Sequence, residues 1–184
     1  MKIAVPASAY GGGLVLPYQN HTPQLGENVF IAPNASVIGE AALGDEVSIW
    51  FSAVLRGDIA AVSVGRRSNI QDNAVLHVGE NEPCIVGENV VVGHQALLHG
   101  CTVEDDCLIG MGAIVLNRAV IGRGSLVGAG ALVTQGTVIP PNSLVVGSPA
   151  TVKRELTRRE RQQQANYAAK YVIVAQNYRP NFST

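Results

Sequence analysis
The chain of 184 residues carries a formal charge of −1, with 47% hydrophobic, 15% charged and 5% aromatic residues. Its 25 Val, 12 Ile, 14 Leu and 20 Gly exclude intrinsic disorder and a Glu/Lys-rich coiled coil, and predict short strands joined by tight turns. No run approaches the ~18 apolar residues of a membrane helix, and Cys84, Cys101 and Cys107 lack the CxxC spacing of a thiolate metal site, so the chain reads as a soluble protein of a reducing, cytoplasmic compartment.

Residues 1–20, broken by Pro6 and Gly11-Gly12-Gly13, read as an extended lead-in and make a poor signal peptide. Residues 21–152 carry an internal repeat. Leu25, Ile31, Val37, Leu43, Ile49 and Leu55 stand six apart. After a nine-residue step come Val64, Ile70 and Leu76, and after a ten-residue step Val86, Val92 and Leu98. After a five-residue step the series resumes at Val103, Ile109, Val115, Ile121, Val127, Val133, Ile139 and Val145. The position four beyond each is mostly small, as at Ala53, Ala74, Ala96 and Thr102. A six-residue period fits one side of a triangular coil, with the branched residue pointing into a narrow prism and the small one near the bend. Stacked coils of this kind form a parallel β-helix with little room for aromatic rings.

Residues 153–184 change character. They hold 7 basic and 2 acidic side chains, against 6 and 12 in residues 1–152. Thr157-Arg158-Arg159-Glu160 has the form of a capping box, and Ala165, Ala168, Ala169, Val172 and Ala175 follow at helical spacing. This predicts a C-terminal α-helix packed along the outside of the β-helix, with Asn177–Thr184 as a frayed tail. No aromatic residues interleave with Arg158, Arg159 and Arg161, so the basic segment reads as a cationic helix on an acidic body, with neither nucleic acid nor membrane as partner.

The polar residues stand out against so apolar a chain. Three steps make one coil, so His77 and His99 follow aliphatic residues on the same edge of adjacent coils. Rungs are ~4.8 Å apart, close enough for two imidazoles to share a metal ion. Between them the chain bulges around Gly79 to Cys84. His94 lies near the preceding edge, one side of the triangle away, and joins the other two only across an interface between copies. A heterologous contact of this kind must close into a ring, most simply a trimer. The same counting stacks Arg56 below His77, with Asp58 beside it, and Trp50, Gln71 and Asp72 below His94. Joined edge to edge, the two edges offer an Arg–carboxylate pair and a cup of three histidines.

The six-residue step resembles the hexapeptide-repeat family, which implies that the β-helix is left-handed; Gly147-Ser148-Pro149-Ala150 looks like the exit from such a fold. Arg56-Gly57-Asp58, Asn69-Ile70-Gln71-Asp72, His77, His94 and His99 together resemble the γ-class carbonic anhydrases over nearly the whole chain. That resemblance implies a homotrimer hydrating CO2 to bicarbonate at zinc held by His77, His94 and His99. It also implies an intersubunit salt bridge between Arg56 and Asp72, with Gln71 bonded to the solvent on the metal. Asp58 would belong to that hydrogen-bond network, and Tyr167 is the candidate for a helix tyrosine directed at the site. Imidazole ligands suit iron or cobalt as well as zinc.

The chain departs from the family pattern in proton export. Ile59 stands where an acidic residue follows the Arg-Gly-Asp string in the best-known members, and the loop Gly79–Pro83 is short, leaving Glu80 and Glu82 as candidates. Two other readings stay open: a hexapeptide-repeat acyltransferase using acyl-CoA, and a catalytically silent trimeric scaffold.

Overall fold
The computed structural model, which describes residues 10–182, winds the six-residue step into a solenoid of parallel strands. One face is an 8-stranded sheet that climbs in parallel from Phe30–Ile31 to Ser143–Gly147 and ends in the antiparallel Ala150–Glu155. The other two faces form one 12-stranded sheet, because Ser36–Leu43 and Val54–Val64 run round the corner between them.

The repeat residues stack in three columns. Val37, Leu55, Leu76, Leu98, Val115 and Val133 pair rung upon rung on one face. Ile31, Ile49, Ile70, Val92, Ile109, Val127 and Val145 form the second column. Leu25, Leu43, Val64, Val86, Val103, Ile121 and Ile139 form the third. All are buried except Leu25, half-buried in the first rung of its column. Each buried side chain contributes about 1.5–3 kcal/mol of burial free energy, repeated up the stack.

The small residue proves to be tied to the aliphatic residue that follows it by two, rather than to the one four before. The five-residue step from Leu98 to Val103 separates the two descriptions: Cys101 is buried there, whereas Thr102 is only half-buried. Where the coil allows more room, Val47, Val62, Cys84 and Val90 fill the same position. The loop after His77 is correspondingly shorter than Gly79 to Cys84, because Cys84 is already in the strand Cys84–Val86.

Corners are made by hydrogen-bonded turns whose third residue is left-handed. Ala53, Ala74, Ala96 and Ala113 donate their backbone N–H groups to Trp50, Gln71, Gly93 and Gly110 carbonyls at 3.1 Å each. The residues before them, Ser52, Asn73, Gln95 and Gly112, have φ of 60°, 59°, 60° and 66°. Asp72, His94 and Met111 are therefore second residues of stacked turns, the most outward seats of that corner.

The lead-in, as far as it is described, joins the solenoid: Leu14–Leu16 pairs in parallel with Ser36–Ile38. The helix runs Arg158–Tyr178 behind the expected capping box. Its buried residues are Gln164, Ala168, Val172 and Ala175, while Ala165 is exposed. Gln164 is drawn inward because its Nε2 donates to the carbonyls of Asp106 and Gly124 at 3.2 and 3.3 Å. From Gln164 the helix descends to Tyr178, which meets Phe30. Those fourteen residues rise roughly 21 Å at ~1.5 Å each, close to four rung spacings of ~4.8 Å. As far as residue 182, the last described, the tail is not frayed as expected. Arg179–Phe182 forms a 3-10 turn, and Phe182 lies against Phe30 and Tyr178. Thr184 lies outside the described residues. Among the described residues no helix is long and apolar enough to cross a membrane.

Candidate metal centre
The nine-residue step at Leu55 shapes one edge of the site. Gly39 pairs with Gly57 and Ala41 with Val62, so five steps on one rung answer two on the rung below. The surplus carries Asp58 and Ile59 outward at the corner. Gly57 allows this because a Cβ there would strike the Glu40 carbonyl oxygen. Asp58 then meets His77, whose Nε2 donates to Asp58 Oδ1 at 3.0 Å, while Arg56 pairs with the other carboxylate oxygen. Burial pushes the Asp58 carboxyl up, but the hydrogen bonds from His77 and Arg56 outweigh it and hold it below the ordinary carboxylate value.

His77 and His99 are direct neighbours in register. Their ring centroids are 5.0 Å apart, and Nδ1 of His77 faces Nε2 of His99 at 3.0 Å. The outer nitrogens are both engaged. His99 Nδ1 lies 2.8 Å from Asn117 Oδ1, and Asn117 Nδ2 donates to Glu82 Oε2, which fixes the amide with its oxygen toward the ring. With N–H on the outer nitrogen of each ring, two lone pairs face each other across 3.0 Å. Two ligands of one tetrahedral ion, with Zn–N bonds of ~2.0–2.1 Å, stand roughly 3.3 Å apart. The donor set therefore fits a divalent metal ion, and Asp58 and Asn117 occupy the places of the hydrogen-bond acceptors that orient metal-ligating histidines.

His94 is elsewhere in the same chain. It sits on the outward corner directly above Asp72, with Nδ1 2.8 Å from Asp72 Oδ2 and its side chain 43% exposed. Among the described residues no three His, Cys, Asp or Glu side chains of the one chain gather as metal ligands. Arg56 and Asp72 are likewise apart, each with a partner on its own corner.

Gln71 is buried, donating Nε2 to Asn69 Oδ1 at 3.1 Å. Tyr167 is 52% exposed on the helix, which packs over the 8-stranded sheet and not at the His77–His99 corner. Tyr171, one turn on, packs edge-on against Trp50, and burial together with the nearby Asp72 carboxylate raises its pKa. Glu82 is held by Asn117 and lies 3.5 Å from Arg118. The residue that sequence reasoning missed is Asn117. The available signal was the five-residue step, which leaves Gly100 facing a polar side chain on the next rung.

The family described as bacterial transferase hexapeptide (six repeats) matches residues 100–135. A carbonic anhydrase of Geobacillus kaustophilus is 49% identical over 166 residues, which are 90% of this chain and 91% of that protein. The mitochondrial gamma carbonic anhydrase 2 of Arabidopsis thaliana is 44% identical over 84% of the chain, which spans 58% of the length of that relative. A Bacillus cereus crystal structure described as a candidate acetyltransferase superposes with a TM-score of 0.89 at 42% identity, over 91% of this chain and 97% of that one. The chain belongs to the hexapeptide-repeat superfamily and, within it, to the γ-class carbonic anhydrase family.

Proposed function
We propose that the chain is a metal-dependent γ-class carbonic anhydrase-like enzyme that converts CO2 and water reversibly to bicarbonate and a proton, at sites shared between the copies of a homotrimer. The observation that carries this reading is the His77–His99 pair, whose inner nitrogens face each other while Asp58 and Asn117 hold the outer ones. The names of relatives at 49% and 44% identity support the reaction. His77 and His99 would hold the ion from one copy and His94 from the next. Zinc is the expected metal, and the same imidazoles accept iron or cobalt.

A metal ion held by these histidines would supply acidification of water and polarisation of CO2. The chain's own residues do the rest. Asp58 keeps His77 in the Nε2–H form, and the same carboxylate accepts from Arg56. In the assembly Arg56 would meet Asp72 of the neighbouring copy, and Gln71 would arrive beside His94 to orient the attacking water. Tyr167 would stand at the rim on the same side. The proton leaves by solvent or Glu80, since Glu82 is engaged and Ile59 cannot carry it.

Stopped-flow CO2 hydration on zinc- and iron-loaded protein, against His99→Ala, tests the activity. Faster hydration by the loaded native protein is expected, and equal rates would defeat the enzyme reading. The transferase description of the Bacillus cereus relative favours a second reading, acyl transfer from acyl-CoA. That reading requires coenzyme A to bind and activity to survive complete metal removal.

A further inference from the structure
We infer that Asn117, clamped by Glu82, is a positioning residue that locks His99 in its Nδ1–H tautomer and so presents Nε2 toward His77. This rests on the metal-site reading above and deepens it. Three independent features converge on the Asn117 amide. Its oxygen accepts from His99 Nδ1 at 2.8 Å, and its nitrogen donates to Glu82 Oε2, a polarity that cannot be reversed while Glu82 is ionised. Glu82 is itself fixed at the base of a tight turn, with Gly79 and Glu82 exchanging backbone hydrogen bonds of 2.9 and 3.1 Å, and lies 3.5 Å from Arg118.

The third feature is the space left for the amide. A Cβ on Gly79 would come within 2.6 Å of both Asn117 Nδ2 and Glu82 Oε2, and one on Gly100 within 2.8 Å of Asn117 Nδ2. Gly100 also has φ +53° and donates its N–H to the His77 carbonyl at 3.0 Å, tying the two histidine rungs together. Two glycines therefore cradle one amide. An unclamped imidazole would distribute its proton between both nitrogens, and the fraction protonated at Nε2 cannot ligate a metal there. Glu82 is consequently a clamp, not a mobile proton carrier.

Long-range 15N NMR of the metal-free full-length chain, together with zinc titration against a competing chelator, tests this. The native chain is expected to show His99 as the Nδ1–H tautomer. Asn117→Leu should mix the tautomers and weaken zinc about 10–100-fold, the effect of removing a hydrogen-bond partner of a ligating histidine. Gly79→Ala, whose methyl would strike Asn117 Nδ2 and Glu82 Oε2 at 2.6 Å and approach Glu82 Cβ to 3.2 Å, should do the same, with circular dichroism showing that the chain still folds. Asn117→Asp combined with Glu82→Gln reverses the bond between the two side chains but keeps an acceptor facing His99 Nδ1, and should recover both readouts. An unchanged tautomer in Asn117→Leu and Gly79→Ala would overturn the inference, as would mixed tautomers with undiminished zinc affinity. A native chain that shows the tautomer, and loses it in the variants, yet binds no zinc would uphold the lock and overturn the metal-site reading instead.

Discussion
Cys84, Cys101 and Cys107 occupy the small positions of the coil, each 1% exposed or less. The hydrogen bond with Cys101, with burial, raises the Cys84 thiol well above its ordinary pKa, and burial pushes Cys107 up to about 12. A thiol this far from ionising is a poor nucleophile at neutral pH. Native protein at pH 8 is therefore expected to leave a disulfide reagent unreacted, and to release three equivalents once denatured. Rapid colour from the native protein would contradict the packing. At the same scale, the histidines, Asp58, Arg56 and Asp72 are legible in the sequence because they interrupt an aliphatic register that locates them. Asn117 is not, because its bond to His99 spans a corner whose tightness depends on the backbone at Gly100.

The helix start is legible for the same reason, since the capping box is local: Thr157 Oγ1 accepts from the Glu160 N–H, and the Glu160 carboxylate accepts from the Thr157 N–H at 2.8 Å. Its buried face keeps Ala168, Val172 and Ala175 from the predicted pattern but begins at Gln164 in place of Ala165, because Gln164 answers carbonyls at a solenoid corner that no helical periodicity reveals. Thr157→Ala should cost about 1 kcal/mol. The hydrogen bond from Arg154, followed by those from Thr157, depresses the Glu160 pKa. A carboxyl depressed in the folded state stabilises above its unfolded pKa and loses that contribution as pH falls through the folded value. The melting difference between native protein and Glu160→Gln should therefore be full at pH 6 and shrink as the pH is lowered below the ordinary glutamate range. A difference that stays constant with pH would remove the ionised cap from the account.

For the whole molecule, the step of six dictates the stack, and the irregular steps mark the function. The nine-residue step throws Asp58 outward, the ten-residue step makes the Gly79–Pro83 turn, and the five-residue step brings Gly100 against Asn117. In the proposed assembly its two polar corners would meet between copies, since His94 stands on one and the His77–His99 pair on the other. A site shared between copies can be rebuilt from two defective chains. His94→Ala and His99→Ala should each bind little zinc alone. Dissociated, mixed and reassembled, they should recover a fraction of the sites, because some interfaces then pair an intact His77–His99 edge with an intact His94. Zinc bound by the mixture and by neither parent is the predicted result. Stoichiometric zinc on His94→Ala alone, or none after verified mixing, would contradict a metal centre shared between copies.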